Sequence, residues 1–312
     1  KKDLLPVLIT GGTGMIGVNL VEKLVAIGIK PYVIFRDKKK LSPFYSIKKN
    51  INFIQLDLFD KERVNKVVKK IQPKTTFHLA SSYFNPPDLE LNDHINSNFL
   101  ITLNLLLALK NSNIKNFIYT NTSAIYKPGL NIKENSTIKC MGDYALSKNL
   151  TSELIKKFCL EYKFLFKDLR LFSIYGKWEK KHRLVYGAIL KAITKKKYNI
   201  LSSNQIRDYL NVEDVVNALL LSINIRENLI LNICSGKSQK THELVKKIFN
   251  LINTRTNLIS KKKNKTQSNK IMKMVGNNQK ARNILNWKPE ISFDQGINNT
   301  IKWFKENKSV NK

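Results

Sequence analysis

The chain has 312 residues, 42% of them hydrophobic, and sets 55 Lys and Arg against 23 Asp and Glu for a formal net charge of +32. That length gives one large domain or two with a sizeable core, and no apolar run approaches the roughly 20 residues needed to span a bilayer. No charged-then-apolar leader with a small-residue cleavage site opens the chain, and Cys140, Cys159 and Cys234 show no metal or redox spacing, so a cytoplasmic protein with reduced thiols and no metal is expected.

The apolar run Pro6-Val7-Leu8-Ile9-Thr10 leads straight into Gly11-Gly12-Thr13-Gly14-Met15-Ile16-Gly17 and an amphipathic stretch from Val18 to Ala26. Strand, glycine turn and helix together make a dinucleotide site. Gly11 permits a sharp turn, Gly14 removes a side chain where backbone approaches a pyrophosphate, and Gly17 lets the helix pack close to the strand. The N–H groups at the helix start, around Met15 and Ile16, then face the anion with the positive end of the helix dipole.

The second strand ends Tyr32-Val33-Ile34-Phe35-Arg36-Asp37. An acid here accepts from the ribose hydroxyls of NAD, whereas the 2′-phosphate of NADP wants a guanidinium. Arg36 falls at the acid's position and Lys38 adds charge, which favours NADP(H). NAD(H) is the alternative, with Asp37 in the acid's role and Arg36 stacked on adenine.

Further strand-like runs near 52–56, 75–79, 117–120 and 166–172 follow those near 7–10 and 31–35, and alternate with helical stretches near 15–27, 61–71, 97–110 and 144–162. This alternation predicts an α/β fold, a doubly wound parallel Rossmann sheet with helices on both faces. From about 177 the pattern is less regular. Ser260 to Asn269 is nearly devoid of apolar residues and is expected to form a mobile surface loop.

Chemistry enters at Tyr144-Ala145-Leu146-Ser147-Lys148, preceded by Thr122 in Thr120-Asn121-Thr122-Ser123-Ala124. Four apart on a helix, Tyr144 and Lys148 share a face. A phenol titrates near 10 in water, about three units too high to serve near neutrality. The Lys148 ammonium is expected to lower that pKa, while the Thr122 hydroxyl holds the substrate oxygen. The set suits proton transfer at an alcohol or ketone coupled to hydride transfer with a nicotinamide.

With these motifs the chain resembles the extended short-chain dehydrogenases/reductases, in their nucleotide-sugar epimerase/dehydratase/reductase group. Further matches are Gln55-Leu56-Asp57-Leu58, His78-Leu79-Ala80-Ser81, Asn98 with Thr102 and Asn104, Arg170 to Gly176, Arg207 to Asp214, and Asn286-Trp287-Lys288-Pro289. The resemblance implies that Asp57 and Leu58 lie at the adenine, and that Leu79, Ala80, Ser81 and Asn98 join Tyr144 and Lys148 around the cofactor. It implies that Ser123, Ser173 and Arg207 contact a nucleotide sugar, Arg207 at the pyrophosphate; an Arg207–Glu213 or Arg207–Asp214 surface pair is the plainer alternative. It further implies an NAD(P)-binding domain over 1–176, and a smaller region over 177–312 that mainly holds the nucleotide sugar and returns one segment to the sheet. The helices near 97–110 and 144–162 would pair with a twin into a homodimeric four-helix bundle.

Ser173 stands where the family has Asn, Lys127 where it has Gly, and Lys177 where it has Pro, departures that point to a different substrate. Ser123-Ala124 replace the Asp-Glu that follows Thr in the dehydratases, which argues against dehydration. A 4-ketoreductase and a 4-epimerase remain. Arg36, and the similarity of Gln205 to Ala218 and of Val275-Gly276-Asn277-Asn278 to CDP-abequose and paratose synthase-like reductases, tilt toward the reductase. A non-catalytic NADP(H)-binding sensor or scaffold is the alternative from another class. The lysine clusters, such as Lys38-Lys39-Lys40 and Lys195-Lys196-Lys197, are dispersed and accompany no recognisable nucleic-acid reader, so nucleic acid is not an expected partner.

Overall fold

The structure, a computed structural model, describes residues 4–81, 89–200, 205–261 and 272–307. The chain begins with β1 (Val7–Thr10), α1 (Met15–Ala26), β2 (Tyr32–Phe35), β3 (Asn52–Gln55), α2 (Lys61–Ile71) and β4 (Thr75–His78). Then come α3 (Leu91–His94), a π-helical turn (Ile95–Leu100), α4 (Ile101–Leu109), β5 (Asn116–Thr122), β6 (Gly129–Ile132), α5 (Asp143–Glu161) and β7 (Leu165–Leu171). It continues through β8 (Ser173–Tyr175), α6 (Leu184–Ile193), β9 (Tyr198–Ile200), β10 (Ile206–Arg207), β11 (Tyr209–Asn211), α7 (Val212–Ser222) and β12 (Leu229–Ile233). Last are β13 (Gln239–Lys240), α8 (Thr241–Leu251), β14 (Ile259–Lys261), β15 (Lys273–Gly276), α9 (Gln279–Leu285) and α10 (Phe293–Glu306).

Seven parallel strands form the main sheet in the order β12-β7-β5-β4-β1-β2-β3. This is the doubly wound sheet expected from the alternation of elements. Side chains alternate across it as the pleat requires. Val7 and Ile9 of β1 pack with Val18 and Leu24 of α1 and with Val215 and Leu219 of α7. Leu8 faces the opposite way, toward Val64 of α2, Leu105 of α4 and Ile155 of α5. Each such burial removes apolar area from water and stabilises by about 1.5–3 kcal/mol.

The order reverses between β1 and β4, and the crevice outside their carboxyl ends is where such sheets take ligands. A third core, built by Val185 and Ile189 of α6, Leu244 and Ile248 of α8, and Ile297 and Ile301 of α10, lies apart from the sheet. A small sheet of order β13-β10-β15-β6 gathers strands from four distant parts of the chain. Trp287 is buried and donates through Nε1 to the Asp214 carbonyl at 3.0 Å, tying the segment after α9 to α7. Of the expected loop at Ser260 to Asn269, Ser260 and Lys261 close β14 and the remainder lies outside the described residues. No helix among the described residues is long and apolar enough to cross a membrane.

Candidate active site

The glycine turn sits at the carboxyl end of β1, beside that of β4. Gly11 has φ +67°, and a Cβ there would stand 2.5 Å from the Ala80 nitrogen. Gly17 packs on the turn itself: its Cβ would fall 2.4 Å from the Gly11 carbonyl oxygen and 2.5 Å from the Gly12 Cα. The close approach expected of Gly17 is therefore to the turn rather than to the face of the strand. Leu79 N donates to the Thr10 carbonyl at 3.1 Å, and Ala80 N to Thr10 Oγ1 at 3.3 Å. No side chain caps α1, and its first turn, which includes Met15 and Ile16, holds no acid. The uncapped N–H groups and dipole there fit the pyrophosphate of a nicotinamide dinucleotide.

Arg36 is exposed just beyond β2, and its carbonyl accepts from Gln55 Nε2 at 3.1 Å. Asp37 Oδ1 accepts from Lys39 N at 2.9 Å and caps the 3-10 turn Lys38–Phe44. The carboxylate proposed for the ribose is thus engaged by its own turn. Asp57 caps its turn in the same way, accepting from Phe59 N at 3.0 Å, and Leu58 beside it is buried.

Asn98 is buried in the π-helical turn, and its Nδ2 donates to Ser147 Oγ at 2.7 Å. Ser147 Oγ in turn donates to the Tyr144 carbonyl at 2.9 Å. Asn98 therefore bears on the helix that carries Tyr144. Behind it, His78 bridges Thr10 Oγ1 and Thr102 Oγ1, each at 2.7 Å, and Thr102 donates to the Asn98 carbonyl. The chain of contacts joins β1 and β4 to α5. Burial and the Lys148 charge push the His78 pKa down to about 3, so the imidazole is neutral.

Tyr144 and Lys148 lie one turn apart on α5, a helix that packs on β5 and on the turn Ser123–Ile125 following Thr122. The Tyr144 hydroxyl bonds Ser81. Lys148 is buried, and its Nζ donates to the Thr120 carbonyl at 2.7 Å and stands 4.0 Å from the centre of the Tyr119 ring. Thr122 Oγ1 accepts from Ala124 N at 3.2 Å, and Ser123 is buried.

The expected lowering of the phenol by Lys148 is not present. Burial raises Tyr144 to about 12, with Arg183 and the Ser81 bond pulling against it. Burial also pushes Lys148 down to about 7, with Asp168 opposing. The ammonium is turned toward a carbonyl and a ring, and desolvation disfavours the charged form of both groups.

On the opposite side, Ser173 opens β8 opposite Tyr209, and its N donates to the Asp208 carbonyl at 2.9 Å. Arg207 is held by Gln205 Oε1, from Nε at 3.1 Å and Nη2 at 2.7 Å. The alternative surface pairs are absent: Glu213 pairs with Lys177 at 2.9 Å, and Asp214 accepts from Glu290 N at 3.0 Å and Ile291 N at 3.3 Å. Asp208, next to Arg207, is buried and accepts from Ser235 N, Gly236 N and Gly276 N at 2.7, 2.9 and 3.2 Å, which fixes β10 in place. Two residues that the motifs passed over stand close by, Glu179 and Arg183, with Oε1 and Nε 3.6 Å apart. Their only trace in the sequence is a spacing of four.

A parallel sheet reversing beside a glycine turn, with a tyrosine and lysine four apart beyond it, defines an enzyme that uses a nicotinamide dinucleotide. The model of the NAD dependent epimerase/dehydratase family matches residues 7–234, and the chain belongs to that family. A putative UDP-glucose 4-epimerase of Methanocaldococcus jannaschii is 29% identical over 314 residues, which cover 96% of this chain and 99% of that protein. The fold matches UDP-glucose 4-epimerase of Thermotoga maritima, solved with UDP-glucose, at a TM-score of 0.88 and 23% identity over 96% of this chain and 98% of that one. It also matches dTDP-glucose 4,6-dehydratase of Bacillus anthracis, solved with NAD, at 0.87 and 21% over 97% of each chain.

Proposed function

We propose that this enzyme moves a hydride at C4 of a nucleotide sugar without removing water, and that it does so as a 4-epimerase. The observation that carries the reading is the packing of α5, which bears Tyr144 and Lys148, on the end of β5, where Lys148 donates to the Thr120 carbonyl and Thr122 is followed by Ser123-Ala124 rather than by carboxylates. The M. jannaschii relative, alike along nearly the whole length of both chains, favours epimerisation over the ketoreduction to which Arg36 inclines the sequence.

The cofactor, when bound, takes up and returns the hydride. Residues 1–176 hold it, through the turn of Gly11, Gly14 and Gly17 and the ends of β2, β3 and β4, while residues 177–312 mainly hold the nucleotide sugar. Thr122 bonds the sugar oxygen, and Tyr144 exchanges its proton. Lys148, one turn along α5 and donating to the Thr120 carbonyl, holds the helix that carries Tyr144 against β5. Arg207 holds the pyrophosphate, for which its fork is suited, and Ser123 and Ser173 contact the substrate.

Arg36 supports a second reading, a 4-ketoreductase that prefers NADPH, because it is exposed just beyond the end of β2. In the epimerase reading NAD stays bound and Arg36 lies against the adenine. Leu100, Leu146 and Leu150 are exposed on the π-helical turn and α5, which supports a homodimer built through these helices. The enzyme works in the cytoplasm.

Cofactor accounting separates the two readings. With UDP-glucose and no added cofactor, an epimerase forms UDP-galactose with no net change in nicotinamide absorbance. With a 4-keto nucleotide sugar, a reductase consumes one NADPH per product. A protein that binds NAD(P)H and turns over neither kind of substrate contradicts both.

A further inference from the structure

Glu179 and Arg183 belong to none of the motifs, yet they occupy the junction between β8 and α6, where Arg183 is the N-cap residue. The Glu179 side chain is 4% exposed, and that of Arg183 is 40% exposed. Glu179 Oε2 is buried with no hydrogen-bond partner. A carboxylate so placed is costly unless a cation stays beside it. Its surroundings are the phenols of Tyr175, Tyr198 and Tyr209, the Arg183 guanidinium and the Tyr186 backbone N–H, and burial raises its pKa to about 7 against the pull of Arg183.

Arg183 is fixed from a second side, donating through Nη2 to the Ile174 carbonyl at 3.4 Å. Ile174 lies opposite Leu210, three residues beyond Arg207. From this place the Arg183 charge acts on two groups of the site. It disfavours the charge on Arg207, and it favours the anionic form of Tyr144. Among the described residues no carboxylate pairs with Arg207, whose partner is the amide of Gln205. Two guanidiniums that repel, of which only Arg183 has a carboxylate beside it, leave a positive site that an anion relieves.

We propose that Arg183 is a specificity-determining residue, binding an anionic oxygen of the substrate jointly with Arg207, and that Glu179 is the positioning residue that aims it. The inference rests on the nucleotide-sugar reading. The anionic oxygen belongs either to the diphosphate or to a carboxylate on the sugar.

The test is calorimetric binding of UDP, UDP-glucose, UDP-glucuronate and dTDP-glucose to the full chain with NAD present. Wild type is compared with Arg183→Ala, Arg183→Lys and Glu179→Gln, and NAD affinity serves as the control for folding. Arg183→Ala is expected to weaken binding at least tenfold. Arg183→Lys should recover part of that loss, Glu179→Gln should fall between them, and NAD affinity should stay within twofold. Equal losses for UDP, UDP-glucose and UDP-glucuronate assign the oxygen to the diphosphate, and a loss confined to UDP-glucuronate assigns it to the sugar. If the alanine variant fails to fold, the lysine and glutamine variants, which keep the size of the side chains, carry the same comparison. Affinities within twofold of wild type in all folded variants overturn the proposal. If wild type binds NAD but none of the four nucleotides, the nucleotide-sugar reading itself fails and this inference falls with it.

Discussion

At the carboxyl end of β1 the chain offers an anion only backbone: the N–H groups of an uncapped helix and a turn kept close by Gly11 and Gly17. Beyond β8 and β10 the proposed anion site offers side chains instead, Arg207 and Arg183, set among tyrosines and one buried carboxylate. The first arrangement depends on the absence of side chains. No group in it titrates, and seven consecutive residues write it. The second depends on charges removed from water, and it is assembled from side chains spread over residues 175–209. It can be retuned by a single substitution, which suits a region that must distinguish substrates on a scaffold that binds one kind of cofactor.

The contrast is broken most decisively at Gly17. Gly17→Val places a side chain on the backbone of Gly11 and Gly12 and should destabilise the fold by about 3 kcal/mol, with dinucleotide binding lost. Chemical denaturation and calorimetry measure both, and a variant that melts and binds NAD like wild type removes the close-packed turn from the account. Next is Arg36→Ala. If its guanidinium meets a 2′-phosphate, NADPH affinity falls by about 1.5–3 kcal/mol and that of NADH is unchanged; equal losses put Arg36 on the adenine. Arg207→Leu should raise KM for the nucleotide sugar about tenfold, or 1.4 kcal/mol, with a smaller change in kcat and none in KM for the cofactor. A larger effect on the cofactor than on the sugar would erase the division between the two anion sites.

A fourth effect is one of slope. His78 has a folded pKa near 3, below the ordinary value of 6.5. Between those values the unfolded chain binds a proton that the folded chain does not, so the stability present above pH 6.5 is lost as pH falls toward 3. One proton corresponds to about 1.4 kcal/mol per pH unit. His78→Gln should therefore flatten the acid limb of a stability profile by up to that slope, and an unchanged limb would place the titrating group elsewhere.

The backbone site was legible because its signals are local. The runs at 7–10, 52–56 and 75–79 became β1, β3 and β4 almost residue for residue, and the glycines lie in the turn expected of them. The helix expected near 97–110 begins earlier, at Leu91, and passes through a π-helical turn that places Asn98 against Ser147, a feature with no periodic signature. Beyond 177 legibility falls away. β10 and β13 are two residues long, too short to show alternation, and β12 returns to the sheet beside β7 only through tertiary pairing. The spacing of Tyr144 and Lys148 was visible, but the direction of their pKa shifts was not. Burial sets those directions, and burial is known only once α5 lies against β5 and β7.

The account stands most directly on Tyr144. Wild type and Tyr144→Phe, which keeps the ring and removes only the proton carrier, are incubated with UDP- and dTDP-linked glucose, galactose and glucuronate and with a 4-keto nucleotide sugar, and proton NMR follows the configuration at C4. At least one of these substrates should change at C4 with wild type, and at least 100-fold more slowly with the variant, the scale of general acid–base catalysis, while NAD binding is retained. A rate in Tyr144→Phe within a few-fold of wild type, or no change at C4 across the series by an enzyme that binds NAD, contradicts the account.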